Sequence, residues 1–149
     1  MSDKTLQKIT SKHKKGGGLV SLLKEVQDEY GYLPAEVMTE VADSLGISVG
    51  EVYGTGTFYS FFSTQPLGKN IIRVCKSVPC YLADNQSVIR AIQKQLGIKP
   101  GETTEDGEFS LQLTNCIGAC DKAPAMMIND TVYSELTSAK ISEILSNYR

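Results

Sequence analysis

All four cysteines of this 149-residue chain fall in two short clusters. The first reads Cys75-Lys76-Ser77-Val78-Pro79-Cys80. The second reads Asn115-Cys116-Ile117-Gly118-Ala119-Cys120-Asp121-Lys122-Ala123-Pro124. The spacing is C-x4-C, an interval of 35 residues, then C-x3-C. No thiol is left over as an incidental core residue. A fold that uses the four together must bring two distant loops to one place, where four thiolates can close a shell around a metal centre. Iron comes first, because iron–sulfur clusters are held by cysteine thiolates and four is the usual complement. Structural zinc takes the same donors but prefers tight C-x2-C knuckles, with C-x4-C at the wide end. Two disulfides would suit a small secreted domain, and four unconnected buried thiols are the remaining alternative. The plant-type ferredoxin run, C-x4-C-x2-C with a distant fourth cysteine, does not occur here.

Hydrophobic patterning divides the chain. Residues 1–18 are polar and basic and end in Gly16-Gly17-Gly18, which reads as a flexible N-terminal arm with at most a frayed helix over Thr5–Lys14. The only histidine, His13, lies there and reads as solvated. From residue 19 to 66 a small helical domain is expected. Leu19, Leu22, Leu23, Val26 and Tyr30 share one helix face that ends at Gly31. Pro34 opens a second helix carrying Val37, Val41 and Leu45, stopped by Gly46. Ser48-Val49-Gly50-Glu51 reads as a capping box for a third helix running to about Tyr59. Phe58, Tyr59, Phe61 and Phe62 follow, as core of this unit or as a docking face for a partner.

Thr64–Gly68 reads as a turn between domains, and residues 67–149 form the second domain. Strand alternation predicts Asn70–Cys75 and a strand carrying Phe109, Leu111 and Leu113, each delivering a cysteine cluster at its end. Between them Asn85 can cap a helix to about Leu96, stopped by Gly97, and Pro100–Gly107 is an acidic loop. Ala125–Asn129 and Thr131–Tyr133 read as a hairpin, and Thr137 caps a last helix with Ile141, Ile144 and Leu145. The class is α+β, an N-terminal helical bundle followed by a compact β-α-β-β-α layer.

Several functions are excluded. Net charge is −2, which gives no electrostatic case for nucleic acid or an anionic membrane. No apolar run approaches the roughly eighteen residues of a membrane span. The Met-Ser-Asp-Lys start lacks an apolar signal region, so a cytoplasmic setting with reduced thiols is expected. Gly54-Thr55-Gly56 fails as a dinucleotide fingerprint, because Tyr59 stands where the third glycine belongs. Gly68-Lys69 fails as a phosphate loop, because Ser63 and Asn70 break the pattern. With no Ser/His/Asp set, the chain reads as an electron carrier whose donor and acceptor lie on other chains.

The residues around the cysteines carry a resemblance. Arg73-Val74-Cys75-x4-Cys80, then Phe109-x-Leu111-x5-Cys116-x-Gly118-x-Cys120-Asp121-x-Ala123-Pro124-x3-Ile128-Asn129, resembles the NuoE-type subunits. These are the thioredoxin-like [2Fe-2S] ferredoxin subunits of complex I and of related soluble hydrogenases and formate dehydrogenases. The likeness extends upstream to Gly31-Tyr32-Leu33-Pro34, Val52-Tyr53-Gly54 and Thr57-Phe58-Tyr59-Ser60, so it covers the chain from about Leu19 onward.

It implies a thioredoxin-like second domain, with a cis Ala123–Pro124 bond. Cys75, Cys80, Cys116 and Cys120 would be ligands of one [2Fe-2S] cluster. Partners would be a flavoprotein subunit that binds FMN and NAD(P) and a larger iron–sulfur catalytic subunit. The complex favoured is a soluble NAD(P)H-linked hydrogenase of the electron-bifurcating kind, with NADH-quinone oxidoreductase and formate dehydrogenase as alternatives. A zinc-stabilised interaction module and a free-standing ferredoxin are the contrasting classes. Gly118 lets the second loop fold tightly, Pro79 stiffens the first, and Lys76 and Lys122 stand beside ligands, where they either raise the potential or are merely solvated. The chain departs from the family in one place. Many relatives place a glycine shortly after the second cysteine, and here the run is Tyr81-Leu82-Ala83-Asp84.

Overall fold

Apolar side chains at three- and four-residue steps build the N-terminal unit. The structure, a computed structural model, describes residues 3–13 and 18–148. It divides into two units, Met1–Pro66 and Leu67–Arg149. In the first, α1 (Asp3–His13), α2 (Leu19–Tyr30), α3 (Ala35–Leu45) and α4 (Val49–Phe58) enclose one core. Leu22, Leu23 and Val26 meet Val37, Met38, Val41, Ala42 and Val52 there. Burying a side chain of this size contributes roughly 1.5–3 kcal/mol, so packing rather than propensity holds these short helices. Gly31 and Gly46 end α2 and α3 in the left-handed conformation, at φ 80° and 68°, where glycine has no Cβ to clash. Pro34 stands just before α3 as its cap. The Glu51 amide donates to Ser48 Oγ at 3.1 Å, the serine half of the capping box.

The N-terminal arm is not loose where it is described. α1 packs on α2 and α3 and buries Leu6, Thr10 and His13. His13 is 8% exposed, with Nε2 3.4 Å from Glu25 Oε2 on α2. Lys12 also pairs with Glu25, and that contact, aided by His13, holds the Glu25 carboxyl below its ordinary range. The sequence hid this packing because few side chains of α1 are apolar, so Leu6 and Ile9 alone mark the face that meets its neighbours. Lys14–Gly17, read as the end of the arm, lie outside the described residues. Of the aromatic group only Phe62 is buried, whereas Phe58 is 79% exposed. Gly54-Thr55-Gly56 lies within α4, and a Cβ on Gly56 would stand 3.0 Å from Leu33 Cδ1. Close packing, not phosphate, explains that glycine.

The second unit is built on one sheet of β1 (Asn70–Cys75), β2 (Phe109–Thr114), β3 (Met126–Ile128) and β4 (Thr131–Tyr133). The order is β2-β1-β3-β4. β1 and β2 run parallel, while β3 is antiparallel to both β1 and β4. Helices α6 (Asn85–Leu96) and α7 (Ser138–Ser146) place Val88, Ile89, Ile92, Ile141 and Leu145 in one core with Ile72, Val74, Leu111 and Ile128. The α+β class and the β-α-β-β-α succession along the chain agree with the sequence-based expectation; the sheet order was not among the expectations.

Two local details do not agree. A short helix, α5 (Val78–Leu82), occupies what reads as loop between Cys75 and Cys80. And Asp84, not Asn85, caps α6. The Ser87 amide and hydroxyl donate to its carboxylate at 3.4 and 2.6 Å. Asn85 is instead the first helical residue and fully buried. Asp84 sits at φ 60°, a left-handed position that short polar side chains tolerate better than most.

Two glycine substitutions separate close approach from mere flexibility. A Cβ on Gly68 would meet Gly107 O at 2.8 Å and the Phe109 backbone at 3.0 Å, whereas a Cβ on Gly54 meets nothing within 4 Å. Gly68→Ala should destabilise the second unit by about 1–3 kcal/mol in denaturant titrations. Gly54→Ala, inside a helix, should stabilise the first by about 0.5–1 kcal/mol.

Candidate metal centre

The parallel register of β1 and β2 brings the two cysteine loops together. Cys75 ends β1 directly opposite Thr114, the last residue of β2. The Cys75 amide donates to Ala125 O at 3.2 Å, and the Lys76 amide donates to Thr114 O at 2.9 Å. The sheet thus grips the first ligand loop on both sides. Ser77 precedes α5, and Pro79 falls in its first turn, where a missing N–H leaves no carbonyl unserved. The next residue of the helix is Cys80. On the other side Asn115 links β2 to Cys116. Gly118 takes φ 85° and turns its amide toward Cys116 Sγ at 3.4 Å. Cys120 opens a 3-10 turn, Cys120–Lys122, and the cis Ala123–Pro124 bond leads into β3.

The thiols form two pairs of different character. Cys75 and Cys80 are each 1% exposed. They pack with Ala125 in an apolar nest edged by Ile117, Ala119 and Ala123. Cys116 and Cys120 are exposed, their sulfurs 3.2 Å apart. The buried pair receives internal donors. Burial opposes ionisation of Cys75, but the Ser77 amide, the Cys80 thiol, the Ser77 hydroxyl and the Ile117 amide together bring its pKa below the ordinary thiol value. Burial pushes the Cys80 thiol up, against one opposing donor, the Ala125 amide. The Cys116 sulfur, ahead of burial, pushes the Cys120 thiol up.

The charges of Cys116, Cys80 and Cys75 all bear on Cys120, yet among the described residues no group of three or more His, Cys, Asp or Glu is placed to hold a single metal ion. The sulfur-directed amides of Ser77, Ile117 and Ala125 had no signal in the sequence, because every residue but proline carries an amide. Lys76 and Lys122 are both exposed.

The sequence model of the family described as thioredoxin-like [2Fe-2S] ferredoxin matches residues 4–149. Over 130 residues the chain is 43% identical to an NADH-quinone oxidoreductase subunit of Escherichia coli (strain K12), covering 87% of this chain and 78% of that one. Over 143 residues it is 38% identical to the NADP-reducing hydrogenase subunit HndA of Solidesulfovibrio fructosivorans, covering 96% and 84%. Among solved structures, an NAD+-reducing [NiFe]-hydrogenase in the air-oxidized state superposes with a TM-score of 0.74 at 26% identity, over 88% of this chain and 22% of that chain.

The unequal burial of the pairs is directly measurable. In the metal-free folded chain, iodoacetamide should modify Cys116 and Cys120 well before Cys75 and Cys80, because reaction needs an accessible thiolate. Peptide mass spectrometry over a time course reads the order, and uniform labelling of all four would contradict the burial described.

Proposed function

The chain belongs to the thioredoxin-like [2Fe-2S] ferredoxin family, and from that membership we propose that Cys75, Cys80, Cys116 and Cys120 hold one [2Fe-2S] cluster in an electron-transfer subunit of an NADH-linked oxidoreductase. The observation that carries the residue assignment is the convergence of two thiol pairs at the ends of paired strands, with backbone amides turned toward their sulfurs. A bound cluster supplies one-electron redox chemistry. The chain's own groups fit it. Each thiol pair suits one iron, and the Ser77, Ile117, Gly118 and Ala125 amides offset negative charge on sulfur. Hydrogen bonds of this kind and the access of water set the potential. Lys76 and Lys122, next to ligands but exposed, contribute little through screened charge.

The flavin and NAD(P) belong to a partner flavoprotein on this reading, and a larger iron–sulfur subunit completes the catalytic path. The surface around the centre supports such docking. Val78, Tyr81 and Leu82 of α5 flank Cys80 and are 68%, 60% and 79% exposed, and apolar and aromatic side chains anchor interfaces. No helix among the described residues is long and apolar enough to cross a membrane, and four free thiols fit a reducing cytoplasm. Among complexes, a soluble hydrogenase is favoured by the alignment with HndA over nearly the whole chain. The respiratory quinone oxidoreductase is the second reading, favoured by the higher identity to the Escherichia coli relative.

Anaerobic purification of the chain should give a brown protein with about two irons per chain and an S = 1/2 signal after dithionite. A colourless protein holding one zinc would defeat the proposal. Changing any of the four cysteines to Ala should abolish the native absorption and EPR spectra, and a variant with unaltered spectra would strike that residue from the ligand set. Leu82→Glu should retain the cluster but weaken retention of the co-expressed flavoprotein about 5- to 10-fold in a pull-down, the effect of losing one interface anchor. In the native complex, hydrogen-dependent reduction of NAD(P) against NADH-dependent reduction of a quinone separates the two readings.

A further inference from the structure

The second ligand loop is the exposed one, and the segment between β4 and α7 reaches across to it. Cys120 opens a 3-10 turn that ends at Lys122. The Glu135 amide donates to the Lys122 carbonyl at 2.8 Å, and the next amide, that of Leu136, donates to the Pro124 carbonyl at 3.1 Å. In an extended strand successive amides point to opposite sides, so two neighbours that reach one loop need a turn between them. Glu135 supplies it at φ 50°. That region suits glycine and, among other residues, asparagine and aspartate, so a glutamate there is strained. Such a conformation persists where its surroundings over-determine it. Here Leu136 is buried in the core of the second unit, and Lys140 Nζ on α7 donates to the Glu135 carbonyl at 2.9 Å.

We propose that Glu135 is a positioning residue for the redox centre: its left-handed turn aims two amides at the carbonyls that follow Cys120 and so fixes the exposed ligand loop. The inference rests on the cluster assignment above. Cys75 and Cys80 are buried, whereas Cys116 and Cys120 are open to solvent. A segment with few buried contacts opens locally at little cost, so an exposed loop keeps its thiols in place only if its backbone is tied from within. The role belongs to the Glu135 backbone and not to its carboxylate. Glycine should therefore serve as well, and a β-branched residue, which opposes positive φ, should not. Once the turn is lost, the Lys122 and Pro124 carbonyls lose their donors, Cys120 shifts, and the loop opens more often.

The test compares three variants of the full chain with the wild type. Glu135→Gly keeps the turn and removes the carboxylate. Glu135→Val keeps the amide but opposes the turn. Gly97→Ala adds left-handed strain at φ 72° after α6, where a Cβ meets nothing within 4 Å, and leaves the ligand loop alone. Circular dichroism, iron and sulfide content, EPR of the reduced protein and the rate of iron transfer to a chelator are measured on each. Amide exchange at Leu136 is measured on the metal-free chains. Glu135→Val should load its cluster, show altered g-values, lose protection at Leu136 and release iron about 10-fold faster, the scale of leaving a buried carbonyl without its donor. Glu135→Gly and Gly97→Ala should match the wild type in each respect. A loaded Glu135→Val protein with the wild-type spectrum and release rate overturns the proposal. So does an equal acceleration in Gly97→Ala, or loss of fold in Glu135→Val, since either makes the role one of general stability. An equal change in Glu135→Gly assigns the effect to the carboxylate and overturns it too. A wild-type chain that binds no [2Fe-2S] cluster instead defeats the cluster assignment, and Leu136 exchange in the metal-free chains still reads the brace.

Discussion

The parallel pairing of β1 with β2 is the contact on which the centre depends. It sets Cys75 opposite Thr114, so two loops far apart in sequence leave the sheet at the same end of its strands. Parallel strands cannot be joined by a tight turn and need a crossover. α5, α6 and the acidic loop before Phe109 make up that connection. The crossover itself carries Cys80 and Asn85. One of the four thiols, and the carboxamide that holds the Cys75 carbonyl, thus come from the segment the topology requires anyway. The core under the sheet then fixes the register. Ile72 pairs with Leu111 and Ile128, and a one-residue slip would turn these side chains out of the core.

Much of this was legible in the chain. The β1 range, the helix faces of α2 and α3, the left-handed ends at Gly31 and Gly46 and the Thr137 cap of α7 all follow from period and punctuation. These signals are local, and the structure obeys them. The failures were tertiary. α1 is mostly polar along its length and is held by a narrow face on which Leu6 and Ile9 join the core of its neighbours. Asn85 looked like a cap because asparagine favours that position, but the cap needs a non-helical backbone, and Asp84 takes it. Both residues suit the role by type, and only the Cys75 carbonyl decides between them. The four cysteines were legible as a set because no other use for them was left. The amides that face their sulfurs were not, since a backbone donor has no residue type.

Asp84 combines a left-handed turn with a helix cap. The chain must reverse between α5 and α6 so that Cys80 stays under the sheet edge while α6 covers the core. A left-handed residue makes that reversal, and glycine is the usual choice. Aspartate costs more in backbone energy but recovers part of it as the helix cap, through two bonds from Ser87. The substitution moves stabilisation from backbone freedom to a side-chain contact, and it leaves the ligand spacing unchanged.

The two thiol pairs meet different dielectrics, and this constrains how a partner can bind. Negative charge on Cys75 and Cys80 is offset by fixed amides within an apolar nest, an arrangement that does not reorganise. Cys116 and Cys120 are exposed, so water reaches their sulfurs. A partner that covers the second loop expels that water, and desolvation then disfavours the charged form. Unless its own donors replace the lost solvent, the potential of the centre falls on docking. On the proposed assignment, docking over the second loop would therefore be coupled to electron affinity through the exposed pair.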